Sequence, residues 1–461
     1  MHLDLVKYVV DENISIKEAL IKVDNNQYGF VMICNKDKKV VGLATDGDIR
    51  RALINGISIE QPIKTCTNYD FLYADNNSSR EVLIKKLDSR IKFIPILDSN
   101  GKLHSFITKN NFPLEDEKEI YVRSIAPVRV SFGGGGSDLT YFFENDKGAV
   151  INSTISLYSH CVMKLRNDNE IVIYSHDLES IFAARNLNDA LSKESKFGLI
   201  KSILDVVKPN FGFEMNIHSD FPLGSGLGGS ATVTAAILGC FNMYRKDPWN
   251  QYELAEIAFQ AERLHLGIAG GWQDQYASVF GGFNFIEFNE TENIVNPIRI
   301  HNDITSELEE SLVLCGTNLD HNSGNIHEDQ KLTLSSNEIR DLVRKNVKLT
   351  YETRNYLLRG QLLKFGECLN NAWQLKKNFS KKISNKFIDD IYEGALNNGA
   401  TGGKLLGAGG GGYLIFYVSP FNRFKLINYL QSKNLTIQPF RFEPEGMKAW
   451  KYREGNTASI K

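Results

Sequence analysis

Over the first 116 residues, short apolar runs alternate with segments of helical character. Gly29-Phe30-Val31-Met32-Ile33-Cys34 and Val40-Val41-Gly42-Leu43-Ala44 read as strands, and residues 48–55 as a helix. A second round follows, with a helix at 81–87 and strands at Phe93-Ile94-Pro95-Ile96-Leu97 and 103–108. β-Branched and aromatic runs bounded by turn formers carry the strand signal, and two similar rounds imply an internal repeat. The charged stretch 115–119 reads as a linker. From Ile120 the alternation is strand-like through residues 121–132, with more strands to about Ile173, and Phe213, Met215 and Ile217 alternate again. Leu254, Ile257, Ala258, Ala261 and Leu264 recur at helical spacing. Amphipathic helices at 337–357, 361–372 and 385–396 precede a strand at 413–418. Strands mixed with helices, without strict alternation, predict an α+β unit of two lobes behind a small α/β module.

Composition narrows the function classes. At 461 residues the chain exceeds one ordinary core, so two or three domains are expected. A net charge of -2, with 23% charged residues, gives no electrostatic footprint for nucleic acid or an anionic membrane. Six scattered cysteines lack CxxC spacing, which predicts reduced thiols and a cytoplasmic setting. The first residues lack a basic segment followed by an apolar core, and the small-residue run 231–239 is too short to span a bilayer, so neither secretion nor membrane insertion is expected.

Three glycine-dense stretches, 132–138, 224–230 and 399–413, lie in order along the chain. The middle one joins a predicted strand to a predicted helix, where free backbone N–H groups and the helix dipole favour a phosphate. Gly224, Gly226 and Gly229 also satisfy GxGxxG. A dinucleotide fingerprint would need an acid ending the next strand about twenty residues on. Here the nearest acid, Asp247, precedes Pro248 in a loop. No Lys-Ser or Lys-Thr follows the glycines, which excludes a Walker A loop, and protein-kinase signatures are absent.

Together the stretches resemble the three motifs of the GHMP kinases over roughly residues 122–450. They read Ala126-Pro127-Val128-Arg129-Val130-Ser131-Phe132-Gly133-Gly134-Gly135-Gly136-Ser137-Asp138-Leu139, then the 224–231 loop, then Gly399-Ala400-Thr401-Gly402-Gly403-Lys404-Leu405-Leu406-Gly407-Ala408-Gly409-Gly410-Gly411-Gly412-Tyr413. The resemblance implies an N-lobe (119–310) like the second domain of ribosomal protein S5 and a ferredoxin-like C-lobe (311–461). It implies that Gly224, Ser225, Gly226, Leu227, Gly228, Gly229 and Ser230 hold ATP, that Ser230 and Glu262 ligate Mg²⁺, and that Asp274 takes the proton of the attacking hydroxyl. Arg129 is expected beside Asp274, keeping it ionised and neutralising charge on the transferring group. Gly229 stands where the family commonly has a serine.

The first motif, the pentapeptide Gly271-Trp272-Gln273-Asp274-Gln275 and the third motif are most similar to D-glycero-D-manno-heptose 7-phosphate kinases. That similarity implies transfer to an anomeric hydroxyl, with Gly135, Gly136, Ser137, Asp138, Gly409 and Gly410 at the sugar. A sugar phosphate is thus the expected substrate, and Lys376 and Lys377, or the loop 321–327, are candidates for holding its phosphate. The run 376–382 also reads as a solvated helix end. Other anomeric sugar kinases, for fucose, an octose phosphate or an N-acetylhexosamine, are alternatives. So is a non-catalytic nucleotide-binding regulator, although such a protein has no need to keep Ser230, Glu262, Asp274 and Arg129 together.

In the N-terminal module, Gly42-Leu43-Ala44-Thr45-Asp46-Gly47-Asp48-Ile49-Arg50-Arg51-Ala52-Leu53 and Pro62 resemble the first half of a CBS-domain pair (1–118). This implies Thr45 and Asp48 as contacts to an adenine or sugar nucleotide, and a homo-oligomer is expected. Thr and Asp at a helix start are equally ordinary caps. The second half, Thr108-Lys109-Asn110-Asn111, has Asn at the Asp position.

Overall fold

A computed structural model describes residues 5–76, 78–87, 91–109, 112, 120–319, 326, 329, 332–334 and 336–453. The chain divides into two compact units, Met1–Glu117 and Lys118–Lys461. The linker residues 115–119, and Asn110 and Asn111, lie outside the described residues.

The first unit is built twice. Val9–Asp11, Phe30–Cys34 and Val40–Thr45 form a sheet whose first pair is parallel and second antiparallel. Ala74–Asp75, Phe93–Leu97 and Leu103–Thr108 repeat that order and those senses. A parallel pair requires a crossover, and helices Ile16–Asn26 and Arg80–Lys86 supply it. Ile16, Ala19 and Val23 pack on Val31, Ile33 and Ile49 in one core. Phe30 and Phe93 join the two copies, their rings stacked at 3.7 Å.

In the second unit the 18-residue strand Gly148–Leu165 organises an eight-stranded sheet. One edge pairs with Ile120–Gly133, and the other with Phe213–Ser219 and then Phe283–Phe288. The small side chains of helix Gly229–Asn242, including Ala231, Ala235 and Ala236, let it lie close on this sheet and are fully buried. A second, antiparallel sheet runs Ala400–Leu405, Tyr413–Val418, Leu312–Gly316, Thr436–Ile437. This spatial order, second-third-first-fourth in sequence, is ferredoxin-like. Helices Asn337–Leu358 and Leu362–Lys376 lie between its first and second strands in the chain.

Two features differ from the sequence reading. Strand Lys448–Arg453 leaves the second lobe and pairs with Ile120–Gly133 of the first, so residues 448–453 do not keep to a division at 310/311. Its approach is guided by Gly281, where a Cβ would lie 2.0 Å from the Gly446 nitrogen. Secondly, helix Gln251–Phe259 widens into a π-turn, Gln260–His265, which breaks the apolar periodicity. Leu264 is consequently 71% exposed, while Glu262 is buried. No helix among the described residues is long and apolar enough to cross a membrane, and all six cysteines are free.

Candidate active site

The loop between strand Phe213–Ser219 and helix Gly229–Asn242 carries Gly224, Gly226 and Gly228 at φ of 71°, 74° and 81°, the left-handed region where a Cβ is strained. Leu227 points the other way, into the core, and anchors the loop. Gly229 accommodates Phe221, whose ring would lie 2.7 Å from a Cβ there. The loop therefore presents backbone N–H groups, at a helix start, to a cavity of about 700 Å³. Gly224, Ser225, Gly226, Gly228, Gly229 and Ser230 line one wall, and Leu178, Phe197, Ile200 and Val233 supply an apolar end.

Arg129, on the first long strand, is 2% exposed. Its Nε and Nη2 donate to Asp274 Oδ1 at 2.8 and 2.7 Å, and Nη1 donates to the Gly226 carbonyl at 2.7 Å. The guanidinium thus ties the glycine loop to the first turn of helix Gln273–Phe280. Both of its Asp274 contacts fall on Oδ1; Oδ2 faces the loop, 3.4 Å from where a Cβ on Gly228 would stand. The segment before this helix is fixed by Trp272, which stacks on Phe259 at 3.5 Å and donates from Nε1 to Thr140 Oγ1 at 3.0 Å.

Asp138 is buried beside this pair and accepts from the Gly136 and Gln273 N–H groups at 3.0 and 3.4 Å. Burial pushes its carboxyl above the usual range, and Asp274 adds to the rise. A Cβ on Gly271 would fall 1.9 Å from its Oδ2, so the glycine makes room for the carboxylate. Glu262 is fully buried, and among the described residues neither of its oxygens has a hydrogen-bond partner. Burial raises this carboxyl; Arg263, with Nη1 3.6 Å from Oε2, draws it back, as do the nearby Gln275 and Ser230 side chains, while Asp274 raises it further. A buried carboxylate without hydrogen bonds is costly. With Ser230 opposite, it is a hard-oxygen donor set that a divalent cation would satisfy, completed by phosphate and water oxygens. Among the described residues no cluster of three or more His, Cys, Asp or Glu could hold a metal by itself.

Of the remaining expected residues, Gly135 and Gly136 line the cavity. Ser137 and Leu227 do not: the Ser137 hydroxyl lies within the core, its one proton within reach of the Gly134 and Ala149 carbonyls at 2.8 and 3.0 Å. Gly409 and Gly410 pack on Ile383, and Gly407 and Ala408 line the cavity in their place. Lys376 departs from the solvated-end reading, being 6% exposed and in the lining, whereas Lys377 pairs with Asp389 at 3.4 Å. Loop residues 321–325 and 327 lie outside the described residues. Thr45 and Asp48, in the N-terminal unit, cap each other: Asp48 Oδ2 accepts from the Thr45 N–H and hydroxyl at 2.9 and 2.6 Å, and Thr45 Oγ1 accepts from the Asp48 N–H at 3.1 Å. Sequence reasoning did not single out Gln273, Asn346 or Lys404. Gln273 stands within the pentapeptide beside Asp274, and Lys404 is a lone charge amid the glycine and apolar residues of the third motif; it is 2% exposed.

Residues 197–282 match the GHMP kinases N terminal domain, 354–434 the GHMP kinases C terminal, and 2–55 the CBS domain. A D-glycero-alpha-D-manno-heptose 7-phosphate kinase of Campylobacter jejuni is 37% identical over 336 residues, covering 72% of this chain and 99% of that protein. A bifunctional fucokinase/GDP-fucose pyrophosphorylase of Arabidopsis thaliana is 27% identical, covering 72% of this chain and 33% of that one. Among solved structures, a D-glycero-D-manno-heptose 1-phosphate kinase from Bacteroides thetaiotaomicron superposes with TM-score 0.60 at 30% identity, over 72% of this chain and all of its own. The first domain match spans the glycine loop, Glu262 and Asp274, and the second spans Lys376 and the third glycine stretch. With a relative matched over almost its whole length, the chain belongs to the GHMP kinases.

Proposed function

We propose that the protein transfers the γ-phosphoryl group of ATP to the anomeric hydroxyl of D-glycero-D-manno-heptose 7-phosphate, giving the 1,7-bisphosphate and ADP. The arrangement that carries this reading is Asp274, its Oδ1 held by Arg129 and its Oδ2 turned to the glycine loop. The sugar hydroxyl loses its proton to Asp274 Oδ2 as its oxygen bonds to γ-phosphorus, and the bond to the β-phosphate oxygen breaks. Arg129 offsets the charge spread over the transferring group, and the loop N–H groups hold the remaining phosphates. Asp138 fixes the sugar by accepting from its hydroxyls. Ser230 and Glu262 would hold Mg²⁺, which supplies charge neutralisation across the phosphates. The lobes that close on the substrates correspond to 119–310 and the greater part of 311–461.

The substrate follows from the Campylobacter relative. The Bacteroides structure is called a heptose 1-phosphate kinase, which makes heptose 1-phosphate the reading to exclude. ADP release should therefore be measured against heptose 7-phosphate, heptose 1-phosphate, unphosphorylated heptose, fucose and an N-acetylhexosamine. The expected order places heptose 7-phosphate first in kcat/KM by at least about tenfold. Equal or better use of any other sugar overturns the assignment.

For the N-terminal unit the reading is a nucleotide-responsive module in a homo-oligomer. Thr45 and Asp48 already satisfy one another as caps, so an adenine or sugar nucleotide must engage their remaining lone pairs or displace the box.

A further inference from the structure

Four cationic side chains line the cavity: Arg129, Lys196, Arg263 and Lys376. Arg129 is spent on Asp274 and Gly226, and Arg263 lies beside Glu262. Lys196 is exposed, next to Phe197 at the apolar end. Lys376 is different. It ends helix Leu362–Lys376, is 6% exposed, and has no carboxylate within ion-pair distance among the described residues; its ammonium donates to the Gly407 carbonyl. The same ammonium stands 3.8 Å, and Gln273 Nε2 4.0 Å, from the point a Cβ on Gly135 would occupy. Two donors thus converge on the space beside Gly135. Asn346 Nδ2 secures that glycine from behind, donating to its carbonyl at 3.2 Å. Gln273 is 8% exposed, and its Oε1 has no hydrogen-bond partner among the described residues.

A buried ammonium without a counter-ion costs stability, and a phosphate dianion supplies both charge and acceptors. Resting on the kinase reading above, we propose that Lys376 and Gln273 form the subsite for the substrate's own, non-transferred phosphate, and that Lys376 sets the preference for a phosphorylated sugar. The electrostatics agree. Burial and then Arg129 push the Lys376 amine down to about 8, with Asp138 and Asp274 opposing, so its charge is held only narrowly until an anion arrives. Lys404, also buried, has its own amine pushed down by burial and by Lys376, so the positive charge here centres on Lys376 and Arg129.

The test compares kcat/KM for heptose 7-phosphate and unphosphorylated heptose, at saturating ATP, in the full-length protein and its Lys376→Met variant. The ratio of the two should fall about 100-fold in the variant, and Lys376→Arg should recover part of it. A loss shared equally by both sugars, or an unchanged ratio, overturns the subsite. If the methionine variant does not fold, Gln273→Leu read by the same ratio, with a fall of about tenfold expected, decides the question in the same way. A wild-type protein that does not use heptose 7-phosphate refutes the heptose 7-phosphate assignment itself, which distinguishes the two failures.

Discussion

Asp274 can serve as a proton acceptor because Arg129 occupies only one of its oxygens. Asp274→Asn preserves the shape but removes the acceptor, so kcat should drop by about 10²-fold or more while ATP titration still reports binding; unchanged turnover would displace Asp274 from that role. Glu262 has the opposite problem, a buried carboxyl whose oxygens find no hydrogen-bond partner among the described residues and only Arg263, 3.6 Å away, as a counter-charge. Ser230→Ala with Glu262→Gln weakens both oxygens of the cation site, and the Mg²⁺ concentration for half-maximal rate should rise at least about tenfold; a titration that does not move would place the cation elsewhere. For Lys376 the sign of the pH dependence follows from its amine, charged below about 8 and neutral above it. A sugar phosphate stays dianionic across that range, its second pKa being about 6. Its kcat/KM should therefore fall as pH rises through about 8, and Lys376→Arg, charged throughout, should flatten that limb. Asp274, Arg129 and Glu262 were legible as types in a motif. Lys376 was legible only as one of several phosphate candidates, because a lysine at the head of a charged run also reads as solvated until helix Leu362–Lys376 turns it under the third glycine stretch.

The glycine stretches act on one another as elements. Gly226, in the phosphate loop, and Gly407, in the third stretch, meet so closely that a Cβ on Gly407 would stand 2.7 Å from the Gly226 Cα, and both have positive φ. Gly407→Ala should cost on the order of 1–3 kcal/mol of local strain and spread the two loops. ATP affinity should weaken by about 5- to 150-fold at that cost, which a direct binding titration checks; an unaltered affinity would show that the loops do not brace each other. Strands were readable because their apolar runs are short and bounded, and Ile120–Gly133 and Tyr413–Val418 lie close to where the pattern predicts. The π-turn Gln260–His265 was not. It inserts an extra residue per turn that no apolar period announces, and it brings Glu262 inward while sending Leu264 out.

At the scale of the molecule, the two compact units each have their own core. The internal repeat of the first unit was visible in the order of its apolar runs, whereas the return of Lys448–Arg453 to the first lobe's sheet depends on long-range pairing that no local pattern encodes. If the N-terminal unit responds to a nucleotide, an adenine nucleotide should alter the rate of the full-length chain and leave a chain beginning at Ile120 unaffected, since coupling requires differential binding to two states. A truncated chain that keeps the response would move the nucleotide's effect to the kinase unit. The central claim concerns one bond. Phosphorus NMR of the product formed from ATP, Mg²⁺ and heptose 7-phosphate should show a second sugar phosphate whose resonance is coupled to the anomeric proton, appearing in step with ADP. No new sugar phosphate, or one coupled to any other proton of the heptose, would contradict the assignment.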